Sequence, residues 1–190
     1  RAVDAVPQPG TEQIVALDRQ TGERRWTRDL QSSWPPVVVA HDLFVAAADG
    51  IHALDAATGA SRFHRPLTSP VLLAPAIGDG LLVVATADAL LALRAEDRMP
   101  AWELPLDPER APRPMVVDGG TIYVSVEGAR LARVSLRGGD LIWERTLAGV
   151  LGAPAVARDR VVVGSTDNHL YALESEDGSF EWRYPAGNDV

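Results

Sequence analysis

No cysteine occurs in the 190 residues, which excludes a disulfide framework, a thiolate metal site and a cysteine nucleophile within them. Lysine is missing too: all 18 basic side chains are arginine, and against 26 acidic ones they leave a formal charge of −8. A chain of that sign repels a phosphate backbone and shows no basic stripe, so nucleic acid is excluded as a general partner. The arginine-only usage is read as compositional, the mark of a G- and C-rich genome. Long hydrophobic runs are lacking as well. The longest uncharged stretch, Pro66 to Gly78, is broken by Pro70 and Pro75 and falls short of the ~20 apolar residues of a membrane-spanning helix. With 46% hydrophobic and 23% charged residues the composition is that of a globular domain, not of a disordered one.

What is present is a repeat. The stretch Ala16 to Trp26, A-L-D-R-Q-T-G-E-R-R-W, returns at Ala53–Phe63, Ala92–Trp102, Arg133–Trp143 and Ala172–Trp182. Its central apolar positions are Leu17, Leu54, Leu93, Val134 and Leu173, spaced by 37, 39, 41 and 39 residues. Each copy reads as a strand, a turn through Thr and Gly, and a second strand carrying a large aromatic residue. The glycine suits a left-handed turn position, while Asp18 and Thr21 can bond turn amides. The aromatics Trp26, Phe63, Trp102, Trp143 and Trp182 are too large to stand on a solvated strand in every copy, and they are read as packing anchors between neighbouring repeats.

A second landmark is a proline, at Pro36, Pro75, Pro114 and Pro154, that opens a pair of short strands separated by a tight turn. The expected pairs are Val37–Ala40 with Leu43–Ala47, Ala76–Ile77 with Leu81–Thr86, Met115–Val117 with Thr121–Val126, and Ala155–Ala157 with Val161–Ser165. A period near ~40 with strand content and no helical patterning is that of a four-stranded propeller blade. The fold class is therefore all-β: a β-propeller of four-stranded antiparallel blades, about four and a half of them here, as part of a larger propeller. The blades fall at approximately 1–30, 31–67, 68–106, 107–147 and 148–186 of a single domain, 1–190. The first lacks an innermost strand, with Val3–Val6 as the remnant of a second one. An arc of that kind leaves the sides of its end blades open, and the expectation is that something covers them.

Two segments depart from the pattern. The third copy has Arg94, Asp97 and Arg98 where the first has Asp18, Thr21 and Gly22, so its turn is expected to be rebuilt. The proline-dense segment Pro105–Pro114 reads as an exposed extended loop, and its Arg110 and Arg113 are candidate partner-binding residues. Trp34, outside the anchor register beside Pro35-Pro36, either packs under a blade or faces a partner. The four histidines, His41, His52, His64 and His169, are scattered, and no pair shows the spacing of a metal or acid/base constellation. No metal site, catalytic residue or cofactor site is expected, for there is no phosphate cradle before a helix and no nucleophile elbow.

The pattern A-x-D-x-x-T-G-x-x-x-W, preceded in the last blade by Val162 to Tyr171, resembles the repeat of the PQQ-type propellers over residues ~11–186. That superfamily includes quinoprotein dehydrogenases and non-catalytic propellers of the BamB type. The resemblance implies blade-docking roles for Trp26, Trp102, Trp143 and Trp182, with Phe63 a departure. It implies, as the first expectation, a non-catalytic scaffold outside the cytoplasm, periplasmic and anchored if at all beyond these residues, whose partners are proteins of an envelope complex or further blades. The alternatives are part of a dehydrogenase holding pyrroloquinoline quinone (PQQ) with Ca²⁺, and the propeller sensor domain of a membrane receptor.

Overall fold

Alternating apolar residues and five chemically similar turns fold the chain into antiparallel meanders, each strand pairing with the next in sequence. The computed structural model describes residues 3–7, 13–107 and 111–187. The first sheet has three strands, β1 (Val3–Pro7), β2 (Gln13–Asp18) and β3 (Arg24–Asp29). The second has four, β4 (Val37–Val39), β5 (Asp42–Ala47), β6 (Gly50–Asp55) and β7 (Ser61–Pro66), and the third β8 (Ala76–Gly78), β9 (Leu81–Ala85), β10 (Ala89–Arg94) and β11 (Pro100–Pro105). The fourth contains β12 (Pro112–Asp118), β13 (Thr121–Val126), β14 (Arg130–Ser135) and β15 (Leu141–Thr146). The fifth contains β16 (Ala155–Ala157), β17 (Arg160–Ser165), β18 (His169–Glu174) and β19 (Phe180–Pro185). Among the described residues these are four four-stranded propeller blades and one three-stranded blade. Among the described residues no helix is long and apolar enough to cross a membrane.

One expectation is corrected at the start of the fourth sheet. The proline-dense segment is not extended loop throughout, because Pro112 already pairs with Val126 and an irregularity between Pro112 and Met115 absorbs the prolines. Proline is tolerated there because β12 is an edge strand.

The chain divides into two compact units, Arg1–Pro75 and Ala76–Val190. In the first, Ile14 of β2 packs with Leu43, Val45 and Leu54, and Trp26 and Leu30 close the cluster. In the second, Tyr123, Leu131 and Trp143 of the fourth sheet pack against Val161, Val163, Tyr171 and Leu173 of the fifth. Burial follows from which faces are covered. Every residue of β13 is buried, whereas β17 alternates, with Val161, Val163 and Ser165 buried and Val162 and Gly164 half-buried.

The five turns share one backbone geometry. The amide of Asp18 donates to Glu23 O and that of Gly22 to Asp18 O, both at 2.8 Å. The same pair recurs at Asp55/Ala60 with Gly59/Asp55, Arg94/Met99 with Arg98/Arg94, Ser135/Asp140 with Gly139/Ser135, and Glu174/Ser179 with Gly178/Glu174. A register shift sits beside each turn, at Ala16/Leu17, Ala53/Leu54, Ala92/Leu93, Arg133/Val134 and Ala172/Leu173. This is the bulge that a left-handed turn residue produces. The expectation that the third turn is rebuilt is thus corrected. Arg98 takes the left-handed conformation itself, at φ 64°, and Asp97 accepts from the Met99 amide at 3.0 Å while binding the Arg94 guanidinium.

The aspartates at the head of the turns are held as anions. The Asp55 carboxyl is lowered from 3.8 to about 2, first by the amide and hydroxyl of Thr58 and then by Arg62 and the Ala57 amide. Asp18 is depressed in the same direction, first by Arg25 and then by the Gln20 and Thr21 amides. A folded-state value below the unfolded one gives stability that is complete above the unfolded value and lost as pH falls through the folded one. Stability is therefore expected to fall between about pH 4 and pH 2, and Asp55→Asn should flatten the slope in that window in urea melts run across pH.

Candidate functional site

The turns and the aromatic anchors meet in a docking unit formed twice in the second compact unit and once in the first. Trp143, on β15 opposite Arg133, donates its indole N–H to Ser175 O at 3.1 Å. Its ring lies on the turn glycine of the fifth sheet so closely that a Cβ on Gly178 would stand 2.6 Å from the ring. Two residues along, Arg145 Nε donates to Gly178 O at 3.0 Å. Trp102 repeats the arrangement against the fourth sheet, with its N–H 2.7 Å from Leu136 O and its ring 2.6 Å from where a Cβ on Gly139 would be. Trp26 does so against the second sheet through Ala56 O at 3.1 Å and Gly59, and Arg28 Nε donates to Gly59 O at 2.5 Å. The glycine thus serves two needs at once, a left-handed backbone and room for an indole. Phe63 has no indole N–H to donate; it is half-buried on β7, paired with Ala53.

Two halves of this unit stand alone. Among the described residues a Cβ on Gly22 would meet nothing within 4 Å, so none of their rings lies on the first turn. Among the described residues no turn glycine lies against Trp182 on β19, and it is 41% exposed. Phe180 and Tyr184 flank it at every second position of the same strand, 57% and 62% exposed. Trp182 and Tyr184 pair with Ala172 and Leu170, alternate residues of β18, and so share a face, whereas the register shift beside the turn pairs Phe180 with Leu173 and breaks the alternation there.

The other candidates separate. Trp34 is half-buried, with its N–H 3.3 Å from Val71 O and its carbonyl held by the Ser32 hydroxyl. Arg113 lies on β12 and is ion-paired with Glu127, both side chains 45% exposed. Arg110 lies outside the described residues. An exposed pair of that kind contributes little, so Arg113→Ala should change stability by no more than about 0.5 kcal/mol in thermal unfolding.

The reading of the histidines is corrected. In the first compact unit His52 and His64 are opposite each other on β6 and β7, their rings stacked with centroids 4.2 Å apart and planes 17° from parallel. Asp49, in the turn before β6, has Oδ1 2.8 Å from His52 Nε2 and Oδ2 3.5 Å from His64 Nε2. One ligand atom from each of the three lies within 4.8 Å of the others, so two of the histidines scattered along the sequence come together with a carboxylate. The sequence signal was the register: the repeat pairs Ala53 with Phe63, so the residue before the one faces the residue after the other.

Five antiparallel meanders, three of them with a tryptophan seated on the turn glycine of the next, are the build of a PQQ-type propeller protein. The chain belongs to the family described as outer membrane protein assembly factor BamB, whose sequence profile matches residues 10–149 and 92–189. It is 26% identical to the outer membrane protein assembly factor BamB of Yersinia pestis over 167 residues, 76% of this chain and 42% of that protein. It is also 29% identical to the serine/threonine-protein kinase AfsK of Streptomyces coelicolor over 189 residues, 97% of this chain and 23% of the kinase. Among solved structures, BamB from Moraxella catarrhalis superposes with a TM-score of 0.77 at 21% identity, over 96% of this chain and 61% of that one. The chain thus spans less than half the length of these two curated relatives.

Proposed function

We propose that this chain is a non-catalytic propeller module, outside the cytoplasm, that binds protein partners in a bacterial envelope complex in the manner of the assembly factors it is similar to. The observation that carries this reading is the family match along nearly the whole chain, 10–149 and 92–189. The exposed pair Trp182 and Tyr184, on one face of β19, adds to it, since aromatic residues are enriched in interface cores. No resident cofactor enters this reading. A photocrosslinking residue at Tyr184 of the full-length protein in its own cells is expected to capture an envelope-assembly protein or another propeller blade. A quinone band of one-to-one stoichiometry after incubation with PQQ and Ca²⁺, together with dye-linked alcohol oxidation, would overturn the non-catalytic reading in favour of a dehydrogenase.

A second reading rests on its own observation, the likeness to AfsK over 97% of this chain. Under it the propeller is the sensor portion of a membrane-anchored kinase and binds a ligand or protein on the far side of the membrane from a catalytic domain. A kinase domain and a membrane span in the complete gene would establish that version. Their absence from the complete gene would remove it.

A further inference from the structure

We propose that Asp49, His52 and His64 form a site for one divalent late first-row cation, with zinc as the simplest occupant. The site is built by the hairpin itself. Ala47 pairs with Gly50, so Ala48 and Asp49 make a two-residue turn that returns the carboxylate over the first residues of β6. The direct pairing of His52 with His64 then sets both imidazoles on the same face of the sheet, at the end where Asp49 stands.

The chemistry of the donors selects the ion. Two imidazole nitrogens and one carboxylate are a borderline ligand set suited to zinc and its neighbours, and unlike the all-oxygen surroundings that calcium or magnesium requires. A tetrahedral ion with bonds of about 2.0–2.2 Å holds its ligand atoms roughly 3.3 Å apart. Asp49 already stands 2.8 Å and 3.5 Å from the two Nε2 atoms, and the three ligand atoms lie within 4.8 Å of one another, so an ion would take the place of the direct hydrogen bond.

Burial divides the roles. His52 keeps only 11% of its side chain exposed and is a fixed ligand, whereas His64 and Asp49, at 41% and 61%, face solvent. Three protein ligands with an open side leave a fourth position for water or for a donor from a partner. His52 also borders a cleft lined by Arg28, Asp29, Leu54 and Ser61, which gives the buried ligand its own path to solvent.

The test uses the full chain, free of any histidine tag and stripped with a chelator, titrated with Zn²⁺ alone by calorimetry and with Co²⁺ alone by visible absorption. One equivalent of Zn²⁺ is expected to bind, and Co²⁺ to develop the d–d bands of a low-coordinate site. Asp49→Asn and His64→Ala, both at exposed positions, should each weaken Zn²⁺ binding by at least about tenfold, as removal of a ligand must cost no less than the loss of an outer-shell partner. The double variant His41→Gln/His169→Gln should bind as the parent does. Absence of binding by the folded parent, or binding that survives both Asp49→Asn and His64→Ala, would overturn the site. The outcome is independent of whether the propeller's partner is an envelope complex or a kinase.

Discussion

Replacing Trp143 by alanine is expected to lower the unfolding free energy by roughly 3–5 kcal/mol, the range for deleting a buried large aromatic side chain. The side chain is 6% exposed and is shared by the core between the fourth and fifth sheets. Alanine would therefore leave a void lined by Tyr123, Val161 and Leu173, and it would leave Ser175 O without its indole donor. Trp143→Phe separates the two contributions. The ring area is mostly kept, so the loss should be confined to the hydrogen bond and part of the volume, about 1–2 kcal/mol. Denaturant unfolding of both variants measures this, and equal stability of Trp143→Ala and the parent would mean that the two sheets are not held by this residue.

The second large effect is expected at a glycine. Gly178→Ala should cost roughly 2–5 kcal/mol, the sum of a left-handed alanine and of an overpacked contact. At φ +71° a side chain is disfavoured whatever the space, and the new Cβ would stand 2.6 Å from the Trp143 ring. Gly22 has nearly the same backbone, φ +72°, with nothing within 4 Å of a Cβ. Gly22→Ala should therefore cost only the conformational part, about 1–2 kcal/mol. The difference between two identical substitutions in two copies of one turn isolates the ring contact. If thermal melts gave equal losses, the indole would not be resting on the turn.

The strands were legible because their punctuation is chemical. Pro36, Pro75 and Pro154 stand just ahead of short edge strands, and Asp18 and Asp55 bond the turn amides that follow them. The third turn was misread because glycine was taken as necessary. The two cross-turn hydrogen bonds, with the adjoining bulge, hold Arg98 at φ 64° without it. Trp143 and Trp182 were read as equivalent because both end the same motif. One is buried and the other 41% exposed, since burial depends on whether a further turn lies against the ring, which no local sequence states. The Asp49, His52 and His64 cluster was hidden for a related reason. The two histidines lie twelve positions apart along the chain, and only the strand register makes them neighbours.

Among the described residues Trp182 lacks the turn glycine that Trp143 has in Gly178, and its exposed ring is expected to be a contact for a second copy or a further blade. Light scattering on the purified 190-residue chain, with and without Trp182→Ala, tests this most directly. The parent is expected to associate, with a mass above its 20.4 kDa, and Trp182→Ala to shift it toward the monomer while unfolding within about 1.5 kcal/mol of the parent, as a half-exposed side chain should. A parent that stays monomeric at all concentrations, unfolds cooperatively and is unaffected by the substitution would contradict the account.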